Sequence, residues 1–170
     1  MITLDDLCTL AEINRIKIIF ENLRQINISY LGKADASNKI ITLDISLREN
    51  TRESKCVLAE EIGHILYPPR PGHIRYHSRG YWQIEHHDRS LMGVIVAQDE
   101  RKALDWATRV LIPDDEFWQA NKECGMDKIY LLVDWFDVEP WVVNLKIGYL
   151  RRKRKAAGEK LKWRDIIKRD

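Results

Sequence analysis

The sequence predicts an α+β fold: a small antiparallel sheet near the N-terminus, a helix packed on it, then a C-terminal helical bundle with a basic tail. Three observations predict this. Apolar residues alternate at period two in short runs between Arg15 and Leu47, with turn residues between the runs. From Asn50 to Leu66 the spacing becomes helical, and it does so again from about Gln98 onward. No apolar run approaches the roughly 20 residues of a membrane span.

Each element has a local reason. Thr3 followed by Asp6 forms a capping-box pattern, and Leu4, Leu7, Leu10 and Ala11 follow at helical spacing, so a first helix covers about Thr3 to Asn14. Ile16, Ile18 and Phe20 alternate as a strand does. Ile26, Ile28 and Tyr30 alternate with Asn27 and Ser29 and predict a second strand. Residues 32–38 gather Gly, Asp, Ser and Asn and predict a turn. Lys39 to Leu47, with Ile41, Leu43 and Ile45 on one face, predicts the next strand. Asn50 with Glu53 caps a helix that Pro68 and Pro69 stop. Its apolar stripe is Leu58, Ile62, Ile65 and Leu66, so it should bury one side and present Glu60 and His64 from another.

Residues 70–96 lack a clear period. They hold Gly72, Gly80, Gly93 and four of the five histidines, namely His73, His77, His86 and His87. A segment of this kind reads as functional or mobile. A helix with Ala103, Trp106, Ala107, Val110 and Leu111 runs from Glu100 to Ile112 before Pro113. Shorter helices follow over Asp114–Glu123 and Asp127–Asp137. Pro140 opens a last helix, which Arg151 to Lys155 extend. This organises the chain as a core over 1–113, a helical segment over 114–150 and a basic tail over 151–170.

Charge is balanced in total and segregated along the chain. Of 28 Lys/Arg and 26 Asp/Glu, net +2, the stretch from Lys146 to Asp170 holds 11 Lys/Arg and 3 Asp/Glu, or +8, which leaves −6 elsewhere. A basic tail on an acidic body points to an acidic partner or nucleic acid, with Arg151, Arg152, Lys153, Arg154 and Lys155 as contacts. A solvated helical tail is the plainer reading. Trp163, Ile166 and Ile167 add a short apolar patch. Cys8, Cys56 and Cys124 have no C-x-x-C spacing, which argues against a disulfide framework or a thiolate zinc site and for a reducing cytoplasm. The acidic N-terminus lacks an export core, so no signal peptide is expected.

The chemistry centres on Leu58-Ala59-Glu60-Glu61-Ile62-Gly63-His64. In H-E-x-x-H, two histidines four apart bind zinc from one helix face and the Glu between them polarises the attacking water. Here Glu60 stands in the first ligand position, Glu61 in the base position and His64 in the second ligand position. Alone, E-E-x-x-H is an ordinary charged helix face. Glu100 strengthens the pattern, because it shares a helix face with Ala103, Ala107 and Leu111, and small residues there allow close packing on the Glu60–His64 helix. Gly63 leaves room for such an approach. Glu60, His64 and Glu100 would form an oxygen-rich ligand set, suited to zinc, manganese or iron(II). His73 or His77 could restore a second imidazole, a surface role being the plainer reading of each. The di-iron pattern needs a second E-x-x-H, which the chain lacks. Ser78 and Ser90 have no triad context, and there is no phosphate-binding Gly-rich loop.

With Glu100 through Ala103, Trp106-Ala107, Leu111, Pro113 and the stretch Leu132-Val133-Asp134-Trp135-Phe136-Asp137-Val138, this motif resembles the ImmA/IrrE family of metallopeptidase-like proteins over about Leu4 to Leu150. The resemblance implies a zincin-like core and a metal-dependent endopeptidase that acts on a protein regulator, such as a helix-turn-helix repressor of a mobile element. It implies Glu61 as general base and Glu60, His64 and Glu100 as ligands. The chain departs from the family at Glu60, and the acid that the family often places before the Ala falls at Lys102. The alternative is a pseudo-protease that binds a repressor without cutting it.

Overall fold

The computed structural model describes residues 1–68, 75–78, 91–124 and 128–158. They form an α+β protein of six α-helices and a four-stranded sheet. The chain divides into two compact units, Ile2–Ala107 and Thr108–Asp170. No helix among the described residues is long and apolar enough to cross a membrane.

In the first unit, α1 (Leu4–Ile13) begins at Thr3, whose hydroxyl accepts from the Asp6 amide while Asp6 accepts from the Thr3 amide. Strands β1 (Lys17–Glu21), β2 (Tyr30–Asp35), β3 (Ile40–Asp44) and β4 (Arg75–Ser78) lie in the order β1-β3-β2-β4. The sheet is mixed rather than antiparallel, because β1 runs parallel to β3 and only β2 pairs antiparallel with its neighbours. Asp44 ties the parallel pair together where both strands end. It pairs with Glu21 in register, accepts from the Arg24 amide at 3.2 Å and meets the Arg24 guanidinium at 3.4 Å.

The strand expected at Ile26–Tyr30 does not form. Asn27 uses its side-chain oxygen to accept from the Ser29 amide and hydroxyl, and the chain turns there. Ile26 and Ile28 are left exposed despite their alternation. The real strand is β2, which includes Gly32 to Asp35 from the segment expected to be a turn. Only the second half of that segment turns, where Asp35 accepts from the Ser37 and Asn38 amides. Gly, Lys, Ala and Asp are poor strand formers. Pairing with β3 and β4 on both sides overrides that preference and buries Leu31 and Ala34. The last predicted strand stops at Asp44, and Ile45–Glu49 is a 3₁₀ turn.

Helix α2 (Thr51–Leu66) starts at Asn50, whose side chain accepts from the Glu53 amide. Every residue from Ser54 to Ile65 is buried, so the expectation of one buried side and one presented side is wrong. The sheet covers one face of α2, α1 another, and α3 (Leu91–Leu111) meets it at Gly63. α3 begins well before Glu100, through Gly93 and the Val94-Ile95-Val96 run, whose helix propensity is weak.

The second unit contains α4 (Asp114–Cys124), α5 (Ile129–Phe136) and α6 (Pro140–Ala156), with Phe117, Leu132, Phe136, Val142 and Val143 in its core. Asp137 ends α5 in the left-handed region at φ 48°, which an Asp tolerates better than most residues.

Candidate functional site

The approach of α2 and α3 is set by a missing side chain. A Cβ on Gly63 would lie 2.7 Å from the Ala103 carbonyl oxygen, so only glycine allows this contact. A second close approach flanks α2 on the sheet side. A Cβ on Gly32 of β2 would lie 2.5 Å from Glu61 Oε1 and 2.7 Å from Val57 Cγ1. At about 100° per residue, Glu60 and His64 occupy the arc of α2 between these two contacts. They face the space that β2 and α3 enclose.

Three of the four motif side chains meet there. His64 Nε2 lies 3.3 Å from Glu100 Oε2 and 3.9 Å from Glu60 Oε1. The exposures of Glu60, Glu61, His64 and Glu100 are 2%, 0%, 4% and 6%. The carboxylates come from two helices that are far apart in sequence, and they converge on one imidazole nitrogen. Glu61 is next to this cluster, with its carboxylate against Gly32.

Donor spacing tests the cluster as a metal site. Ligands about 2.0–2.2 Å from a tetrahedral ion stand roughly 3.4 Å apart. The His64–Glu100 pair meets that spacing, and Glu60 must rotate inward to reach it. As the side chains stand, no group of three or more His, Cys, Asp or Glu among the described residues is arranged to hold an ion. A ligating imidazole normally donates from its other nitrogen. His64 Nδ1 makes no hydrogen bond among the described residues.

The other sequence candidates are placed as follows. His77 lies on β4, and its backbone is opposite Gly32 in the register, which brings position 77 beside the site. His73, His86, His87 and the Trp163, Ile166 and Ile167 patch lie outside the described residues. Arg151 to Lys155 form the last turns of α6 in the second unit. Part of that run is used internally. Lys153 pairs with Asp114 at 2.5 Å, and the Arg154 guanidinium lies 4.5 Å from the centre of the Trp118 ring. Cys56 is buried, and Cys8 and Cys124 are partly so, all as free thiols.

Gly32 is the site residue that sequence reasoning missed. Its signal was present: a glycine inside a strand marks close approach of another group. Asp35, Ser37 and Asn38 after it give the segment the composition of a turn and mask that signal.

No protein-family model matches this chain, and no curated protein matches it.

Proposed function

We propose that this chain is a cytoplasmic, metal-dependent endopeptidase of zincin-like plan that acts on a protein regulator, a DNA-binding repressor of a mobile element being the class its family resemblance indicates. The observation that carries the reading is the convergence of Glu60 and Glu100 on His64 Nε2 from separate helices. Glu60, His64 and Glu100 would hold a divalent ion, zinc or the harder manganese and iron(II). Such an ion would supply Lewis acidity toward a peptide carbonyl. Glu61 would take the proton of the attacking water and deliver it to the leaving amine. Gly32 and Val57 would hold the Glu61 carboxylate in place, and the buried walls would keep bulk water out.

Elemental analysis of protein purified without added metal, repeated for Glu60→Gln, His64→Gln and Glu100→Gln, tests the ligand set. A stoichiometric ion lost in all three variants supports it, and no ion in the unaltered chain removes it. Glu61→Gln should then retain the ion and lose about a hundredfold or more in cleavage.

A second reading is a pseudo-protease that binds the same regulator without cutting it. Glu60 in the first ligand position, its 3.9 Å separation from His64 Nε2, and the lack of an acceptor for His64 Nδ1 among the described residues favour it. Regulator binding that persists in metal-free protein and in Glu61→Gln, with no cleavage in any form, would decide for this reading.

A further inference from the structure

Strand β1 is an edge strand that, among the described residues, pairs only with β3. The Lys17 amide donates to the Lys39 carbonyl at 2.9 Å. In a parallel ladder, alternate residues direct both backbone groups to the same neighbour. Lys17, Ile19 and Glu21 therefore face β3 with their backbone groups, and Ile18 and Phe20 turn theirs outward. The side chains alternate as well. Ile18 and Phe20 line an open groove of about 420 Å³ with Leu4, Cys8, Leu43 and Leu58. Lys17, Ile19 and Glu21 lie on the opposite face of the sheet, where Lys17 and Glu21 are exposed.

The outward edge is symmetric in charge. Lys17 and Glu21 have opposite signs, share one face and stand the same distance in sequence from Ile19. A lysine on an edge strand ordinarily guards against pairing with other chains. An acid of matching position and opposite sign makes the same edge complementary to its own copy.

We propose that β1 pairs antiparallel with β1 of a second copy about a two-fold axis at Ile19, so that the two sheets become continuous. In this register Lys17 lies opposite the second copy's Glu21, and the two Ile19 side chains meet. Each Ile18 faces the second copy's Phe20 as a hydrogen-bonded pair, which uses the outward backbone groups. A one-residue slip would set outward groups against residues already bonded to β3 and would exchange the two faces. A two-residue slip would put Lys17 opposite Ile19. The two grooves, each mostly apolar with Glu12 and Ser54 also in its lining, become neighbours across the new pairing.

Sedimentation equilibrium of the full chain over a range of concentrations tests this, together with variants at the two exposed charges. The unaltered chain is expected to show a monomer–dimer equilibrium. K17E and E21K each create two like-charge pairs and should each weaken self-association about tenfold or more, with unchanged circular dichroism. The double variant K17E/E21K restores opposite charges and should regain the dimer. Mixing K17E with E21K should give a heterodimer tighter than either variant with itself. A chain that stays monomeric up to its solubility limit overturns the proposal. So does a dimer whose affinity ignores the charge swaps and the mixing.

Discussion

The two units bury charge in opposite ways. In the second, Lys146 is completely buried within α6 and donates to Asp114 in the first turn of α4, with Lys153 on the other carboxylate oxygen. Tyr149 lies among these cations, its ring centre 5.1 Å from Lys146 Nζ and 5.9 Å from the Arg109 guanidinium. Burial raises the Asp114 carboxyl, but hydrogen bonds and charge from Lys146 and Lys153 outweigh it and hold the group below its ordinary value. Burial pushes the Lys146 ammonium down, and Asp114 partly restores it. In the first unit, Glu60 and Glu100 meet His64 in a buried space with the buried Glu61 beside them, so that among the described residues there the acids outnumber the imidazole. A matched pair joins two helices and explains itself as structure. The acid-rich cluster is the feature on which the proposed cation site rests.

The largest expected effect tests the matched pair. Lys146→Ala leaves a cavity and removes the main partner of Asp114, and should cost about 3 kcal/mol in urea unfolding. Lys146→Met combined with Asp114→Asn removes both charges and keeps the packing, and should cost within about 1 kcal/mol, because the net value of a buried pair is small. Equal losses from both variants would show that the ammonium itself matters more than this comparison allows. Next is the acid-rich cluster. Manganese or zinc at a hundred times its Kd should raise stability by about 2.7 kcal/mol, and Glu100→Gln should abolish the gain. Thermal shifts with and without a chelator measure both, and a gain that survives Glu100→Gln would place the ion elsewhere.

Gly63→Ala should cost about 2 kcal/mol, because the new methyl meets backbone at Ala103 rather than a side chain able to move. A neutral result in chemical denaturation would mean that α3 slides easily over α2. The smallest effect is the acid limb of Asp114. Its depressed carboxyl binds fewer protons folded than unfolded, so it stabilises the fold above the ordinary aspartate range. That stability is lost as pH falls below about 4 and through the folded value. Urea midpoints measured from neutral pH downward should fall, with a shallower slope in Asp114→Asn.

The sequence revealed most where the signal is local. The caps at Thr3 and Asn50 and the Pro140 helix start each depend on residues within one turn, and all three are present. It failed where long-range pairing decides. β2 is a strand because β3 and β4 flank it, and Ile26 to Tyr30 is not, because Asn27 captures the chain first. Within the site, the face shared by Glu60 and His64 was legible from spacing. The packing of α3 on Gly63 was legible from small residues. The depth of burial was not legible, since α2 is charged enough to read as half-exposed. The role of Gly32 emerges only once a strand is known to lie over Glu61.

The two glycines have a consequence for redesign. Gly63 pins α2 against one neighbour and Gly32 against another, so the main chain around the motif is boxed in and only the side-chain alphabet remains free. Tuning the proposed ion site is then a problem of substitution at positions 60 and 100. Histidine at position 60 is the shortest route to a second imidazole there.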